Sequence, residues 1–377
     1  MRVWAEVNLD NLIHNLKEIK SISNNREILG VVKANAYGHG GIEVATELAK
    51  AGVKFFGVAC VDEAEELLNH NIDGDILILG CTPIEEWKRA VSLGIQLALS
   101  SFEEIEYIEK TKIYPKVHIK IDTGMGRIGF TPEKAKEAIR YIQEKNLAEI
   151  VGVFTHFSVS DEDRDYTLKQ KKSFEEVEKE FPDIKYKHIS NSAGILNFNF
   201  EYNMVRPGII LYGLVPFKDE VLQKRFKPVM TLKTKITFIK NIDKESSISY
   251  GRSYTAKPGD IIATVPVGYA DGVSRFLSNK GEVLVRGVMC RIVGRVCMDQ
   301  MMIEIPKELS DVKPGEEVVI FGEKATVEEL AQKIGTISYE LLTNINNRVP
   351  RMYIKNGKNI KIKSLLGRKM ISDEKDI

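Results

Sequence analysis

Eight short apolar runs recur along the first 207 residues, at 28–33, 55–59, 75–79, 95–99, 116–122, 149–155, 186–190 and 203–207. Charged stretches with helical spacing separate most of them, at 40–51, 61–70, 83–93, 101–111, 131–146 and 164–181, while 192–198 has room only for a short helix. Short continuous apolar runs are the signature of strands buried on both faces. Strands that alternate with helices pair in parallel, because a helix-length crossover returns the chain to begin the next strand in the same direction. Eight such units in roughly 200 residues suit a (β/α)8 TIM-type barrel. An open doubly wound sheet is the competitor, and it needs a point where strand order reverses. An amphipathic helix over 10–22, with Leu9, Leu12, Ile13, Leu16 and Ile19 on one face, precedes the series.

The pattern changes near residue 226. Segments 229–240, 245–250, 260–268, 282–285, 289–296, 300–305 and 317–320 read as strands punctuated by Gly and Pro, and only 326–334 reads as a helix. The expected organisation is a barrel over 1–228 and a C-terminal mostly-β domain over 229–377. Val3–Val7 has no helical partner before it and is a candidate strand of the second domain's sheet. The tail after residue 366 is charged and expected to fray.

The chain is large enough for an extensive core, with 43% of its 377 residues hydrophobic. Its formal net charge of +1 argues against a nucleic-acid partner. Cys60, Cys81, Cys290 and Cys297 show neither CxxC nor zinc-site spacing, so no metal is expected and a reducing compartment is favoured. The first residues lack the apolar stretch of a signal peptide, and no run reaches the ~18 residues of a membrane span. The expectation is a cytoplasmic protein.

Barrel enzymes place their chemistry at the C-terminal ends of strands. The first run ends in Lys33, with Tyr37 just beyond. The fifth presents Lys120 and Asp122, then Thr123–Arg127. The sixth presents His156, the seventh Asn191 and Ser192, and the eighth Arg206 followed by Pro207-Gly208-Ile209. Each has an ordinary reading. Lys120 and Asp122 could be a strand-end ion pair, His156 a satisfied core histidine, Asn191-Ser192 a helix cap, and Arg206 a bridge from strand to loop. The coincidence of all five at one rim favours function. A lysine where a buried strand opens into a loop has its pKa lowered by desolvation and can form an imine. Hydroxyls and the N–H groups at Gly208-Ile209 could hold a phosphate. The set suits a phosphorylated, aldehyde-bearing cofactor.

Val32-Lys33-Ala34-Asn35-Ala36-Tyr37-Gly38-His39-Gly40 resembles the pyridoxal-phosphate attachment signature of bacterial alanine racemases. The similarity continues through Lys120–Gly129, Thr155–Phe157, Asn191-Ser192, Val205–Gly208, Ser249–Arg252, Val267–Gly272, Gly294–Gln300 and Arg348–Arg351, in order and across both domains. The resemblance implies an enzyme that interconverts L- and D-alanine by two-base proton transfer at Cα of an external aldimine, supplying D-alanine for peptidoglycan. It implies that Lys33 is the Schiff-base lysine and the base for the D-face proton, with Tyr250 the opposing base. It implies that Arg206 meets the pyridine nitrogen, with His156 beside it, and that Tyr37, Asn191, Ser192, Gly208, Ile209 and Tyr339 serve the cofactor. Arg127 and Met298 would hold the substrate carboxylate. Tyr269, Cys297 and Asp299 would line or support the entrance, and Lys120 matches a position carbamylated in some relatives. A homodimer with shared active sites follows from the same resemblance. Thr343 departs from the pattern, since many relatives carry cysteine there.

Overall fold

The computed structural model describes residues 1–364. The expected fraying beyond residue 366 lies outside the described residues. The chain forms two compact units, one of residues 12–36 and 40–227, the other of residues 1–11 and 37–39 together with the chain from 228 onward.

The first unit is a nearly closed barrel. After β1 (Val3–Asn8), which belongs to the other unit, come β2 (Glu27–Val31), β3 (Phe55–Val58), β4 (Asp75–Ile78), β5 (Gln96–Leu99), β6 (Lys116–Lys120), β7 (Glu149–Phe154), β8 (Tyr186–His188) and β9 (Met204–Val205). They line up in the order β8-β7-β6-β5-β4-β3-β2-β9, each pair parallel. No ladder joins β8 to β9. The seam is bridged instead by Arg206 N–H donating to the Ser190 carbonyl at 3.0 Å. Across the same seam the Asn203 carboxamide accepts from Lys187 N–H at 2.9 Å and donates to the Lys185 carbonyl at 2.5 Å. Among the described residues no strand-order reversal exists, which removes the doubly wound alternative.

The helices end where the local sequence dictates. Over Pro132–Lys145, Thr131 caps the first turn, Pro132 supplies a preset φ, and Asn146 closes the last turn with φ 51°. At Phe102–Thr111, Ser101 and Glu104 form a reciprocal capping box.

The second unit holds β1 and β10 (Met230–Lys235), β11 (Phe238–Asn241), β12 (Ser246–Ile248), β13 (Tyr254–Ala256), β14 (Ile261–Val265), β15 (Glu282–Val285), β16 (Val288–Val293), β17 (Met301–Ile305), β18 (Glu317–Phe321), β19 (Arg351–Lys355) and β20 (Lys358–Lys363). Ten of these make one sheet, ordered β11-β14-β17-β16-β15-β18-β10-β1-β19-β20. β1 runs antiparallel to β10 and parallel to β19. β12 and β13 form a separate hairpin, seated on a cluster of Ile242, Ile248, Ala256, Ile262 and Val293. Besides the expected helix over Val327–Ile334, a short helix spans Ser338–Thr343. β13, β19 and β20 were also unannounced by the sequence pattern, being short or broken by lysines. Among the described residues no helix is long and apolar enough to cross a membrane.

Candidate active site

Lys33 stands two residues past the end of β2, where the backbone turns abruptly. Ala34, Asn35, Ala36 and Tyr37 all have φ of 52–53°. Four successive non-glycine residues in the left-handed region cost roughly 1–2 kcal/mol each, so the surroundings must over-determine this turn. Ala36 N–H donates to the Val32 carbonyl at 2.7 Å, and Gly40 N–H to the Asn35 carbonyl at 2.9 Å. The Asn35 carboxamide oxygen accepts from Gly41 N–H at 2.7 Å. Glu63 completes the frame, one oxygen taking Ala34 N–H at 2.7 Å and the other Ala59 N–H at 2.8 Å. A single carboxylate therefore ties the peptide after Lys33 to the end of β3.

Burial lowers the Lys33 ammonium below its ordinary pKa, and the charges of Arg127 and Arg206 add to this, while Glu63 opposes it. A Glu63→Gln chain keeps one acceptor oxygen and loses the charge. It is expected to melt at lower temperature, by about 1–2 kcal/mol of stability. Its Lys33 amine should titrate at lower pH, because the charge that favours the ammonium is gone. An unchanged melting temperature together with an unmoved Lys33 titration would contradict the part given to Glu63.

Arg206 is 4% exposed. Its Nη1 donates to the His188 carbonyl at 2.6 Å and to His188 Nδ1 at 3.0 Å. Its Nη2 donates to the Thr155 carbonyl at 2.6 Å, more distantly to the Ile189 carbonyl at 3.3 Å, and approaches His156 Nδ1 at 3.4 Å. Nε makes no hydrogen bond among the described residues. His156 is held well below its usual pKa by burial and then by Arg206, Lys120, Arg127 and Lys33, so it stays neutral. Lys120 is almost fully buried; burial, then Arg206, lowers its pKa to about 7. The ordinary ion-pair reading of Lys120 and Asp122 is not what the structure contains. Lys120 Nζ donates to the Ile121 carbonyl at 3.3 Å and lies 5.1 Å from the Phe154 ring centre. Asp122 accepts from Gly124 and Gly126 N–H at 2.9 and 3.1 Å. Burial pushes the Asp122 carboxyl up, but those amides and the Lys120 charge outweigh it and hold it low.

The ordinary reading of Asn191 does hold: its side chain caps the helix Ser192–Asn197 through Gly194 N–H at 2.9 Å, and Ser160 Oγ donates to the same oxygen at 2.8 Å. Ser192 Oγ accepts from Gly208 N–H at 3.0 Å, and the turn Ile209–Tyr212 follows at once. Tyr212 Oη donates to the Val31 carbonyl at 2.9 Å, joining this turn to the strand that carries Lys33.

A family model described as the alanine racemase N-terminal domain matches residues 7–216, and one for the C-terminal domain matches 229–353. Alanine racemase 2 of Caldanaerobacter subterraneus subsp. tengcongensis is 45% identical over 378 residues, covering 96% of this chain and 97% of its own length. The alanine racemase of Carboxydothermus hydrogenoformans is 43% identical over 370 residues, covering 93% and 99%. Among solved structures, the alanine racemase of Clostridium difficile superposes with a TM-score of 0.90 at 41% identity, covering 97% of this chain and 98% of that one. That of Bacillus anthracis with bound L-Ala-P gives 0.88 at 38%, with coverage of 97% and 98%. The chain belongs to the alanine racemase family.

Arg127 lies exposed in the barrel unit, and the remaining family-matched residues lie in the strand-rich unit. Tyr250 sits at the tip of the β12–β13 hairpin and is 69% exposed. Its neighbours Ser249, Gly251 and Arg252 have φ of 68°, 68° and 49°. The tip is therefore a second stretch of left-handed backbone, fastened by Ser249 Oγ donating to the Arg295 carbonyl at 2.7 Å. Cys297 Sγ lies 3.6 Å from the same hydroxyl. Tyr269 and Ala270 N–H groups donate to the Cys297 and Met298 carbonyls, both at 3.0 Å, which ties the two loops together. Asp299 accepts from Arg348 at 2.7 Å, and Arg348 also reaches the fully buried Asp271 at 2.8 Å. Tyr37 and Tyr339 rings lie 6.0 Å apart, and burial raises the Tyr37 phenol to about 12. Thr343, the departure from the family pattern, donates to the Tyr339 carbonyl at 2.8 Å and so braces the helix turn carrying that tyrosine.

Sequence reasoning missed three polar residues inside the barrel of this family member: Gln96, His118 and His188. Their signal was present as a glutamine and two histidines inside the runs 95–99, 116–122 and 186–190.

Proposed function

We propose that the protein interconverts L- and D-alanine using pyridoxal 5'-phosphate, acts as a cytoplasmic homodimer, and supplies D-alanine for peptidoglycan. The observation that carries the reading is an amine at a strand end, depressed by burial and by two guanidiniums, beside a donor-only arginine sunk among carbonyls. The donor set fits the cofactor. Lys33, Lys120, Arg127 and Arg206 outnumber the nearby carboxylates Asp122 and Glu63, as a phosphate and a substrate carboxylate require. Lys33 would hold the aldehyde carbon. Tyr37, Ser192, Gly208, Ile209 and Tyr339 would hold the phosphate, with Asn191 shaping the turn below it. Arg206 Nε is the donor left for the ring nitrogen. When bound, pyridoxal phosphate supplies an electron sink that acidifies the Cα proton.

Racemisation removes a proton from one face of Cα and returns one to the other, which calls for a base on each face. Lys33 serves the D face and Tyr250 the L face. Arg127 and Met298 orient the substrate carboxylate, and Tyr269, Cys297 and Asp299 line or support the entrance. Arg206 stays charged and only donates, so it holds the ring without giving it a proton. Tyr250 and Met298 are 69% and 53% exposed in the single chain, which supports their service to a partner copy. The free cysteines support a reducing compartment. We assign the cofactor-binding role, apart from Tyr339, to residues 1–228, of which 1–8 act as a strand of the other sheet, and the entrance, Tyr250 and Tyr339 to 229–377.

A visible spectrum before and after borohydride, followed by polarimetry on L-alanine, tests the reading. A borohydride-sensitive band and loss of rotation are expected; the band with undiminished rotation would refute racemisation.

Lys120 is the remaining amine. With a pKa of about 7 it is increasingly neutral above that pH, the form that attacks CO2 to give a carbamate and a proton. The product is an anion, which relieves crowding with Arg127 and Arg206. Labelled CO2 incorporation at Lys120 should rise steeply between about pH 6 and 8, the interval over which an amine of that pKa loses its proton. A flat profile read by carbon NMR would remove the carbamate from the site.

A further inference from the structure

A polar line runs through the barrel interior from Gln96 on β5 to Arg206. Gln96 Oε1 meets His118 Nε2 at 2.8 Å, His118 Nδ1 meets His188 Nε2 at 2.8 Å, and His188 Nδ1 meets Arg206 Nη1 at 3.0 Å. The four side chains are 2%, 0%, 0% and 4% exposed. The interior of such barrels is ordinarily packed with branched apolar side chains, and burying polar groups costs free energy unless every one is partnered. Here every link is made.

The direction of the line is fixed by chemistry. A guanidinium can only donate, so His188 Nδ1 must accept and its proton sits on Nε2. That N–H donates to His118 Nδ1, which places the His118 proton on Nε2. That N–H donates in turn to the amide oxygen of Gln96. Two further features hold the rings. Phe154 stacks on His188 at 4.8 Å with 3° between planes. Gly152 makes room, since a Cβ there would lie 2.4 Å from His118 Nδ1, the atom that receives the His188 proton.

We propose that Gln96, His118 and His188 are positioning residues that aim Arg206 at the cofactor ring by fixing one direction of proton donation. The inference rests on the pyridoxal-phosphate reading for its consequence but not for its wiring. Burial keeps both imidazoles neutral. The amide at position 96 preserves that state, because a neutral oxygen accepts without drawing a second proton onto His118. A carboxylate there would stabilise the His118 imidazolium, whose Nδ1–H would then donate to His188 Nε2. His188 would have to carry its proton on Nδ1, facing the Arg206 donor, and Arg206 would lose that acceptor.

The test uses holoenzyme labelled with nitrogen-15 histidine and reads ring tautomers by NMR. Wild type should show His118 and His188 both protonated on Nε2 alone. Gln96→Glu should show a doubly protonated His118, a His188 protonated on Nδ1, a shifted visible band of bound cofactor, and kcat lower by about 10–100-fold with KM changed far less. Gln96→Met, which removes the last link without adding charge, should leave the His188 tautomer in place and cost less. An Nδ1–H form of either ring in wild type would overturn the proposal, and that measurement needs no variant to fold. Rewired tautomers with an unchanged cofactor band and kcat would also overturn it. Failure of wild type to racemise alanine, with tautomers and band as expected, would count against the racemase reading and leave the wiring intact.

Discussion

A Tyr250→Phe chain is expected to lose about 10²–10⁴-fold in kcat, the usual contribution of one general acid–base group. The change removes one hydroxyl from an exposed hairpin tip and leaves the Ile248, Ala256 and Ile262 seat beneath it untouched, so folding should be unaffected. The informative measurement is exchange of the Cα hydrogen with solvent deuterium. Lys33 still serves its own face, so D-alanine should keep exchanging while L-alanine nearly stops. Equal exchange from both enantiomers would remove Tyr250 from the chemistry.

Lys33→Ala is expected to be the more severe change, because it removes the attachment point and a base together. Racemisation should fall to the background of the assay, and borohydride should no longer fix the cofactor to the chain. Tyr250 remains, so residual exchange in this variant should fall on L-alanine. Alanine is compatible with the local backbone, since Lys33 lies just before the left-handed residues, and melting temperature should shift little. Retained borohydride labelling at another lysine would relocate the attachment site.

The barrel was legible because its strands are apolar on both faces and its helices are charged, so periodicity separated them cleanly. The expected strand at 28–33 is ordered as Glu27–Val31, and the expected helix at 131–146 as Pro132–Lys145. Lys33, Tyr37, His156, Ser192 and Arg206 were visible as polar residues where apolar runs stop. His118 and His188 were not, because both fall inside the runs expected at 116–122 and 186–190, although β8 itself stops at His188, and an isolated histidine inside a run carries no mark of its partner 70 residues away. The tip that carries Tyr250 was legible only through family resemblance. Its positive φ values depend on Gly251, the Ser249 bond to Arg295 and the tight approach of Gly294 to Ser249, which are contacts distant in sequence.

The left-handed turn after Lys33 has a consequence for how this protein can change over generations. Its shape is disfavoured locally and survives through bonds from Glu63 to Ala34 and from Arg351 to the Gly38 carbonyl at 3.0 Å. Gly38 itself admits no side chain, since a Cβ would fall 2.3 Å from the Leu342 carbonyl oxygen. Positions 34–38, 63, 342 and 351 therefore form an epistatic group. A substitution tolerated at one of them in a relative need not be tolerated here unless its distant companions have changed as well.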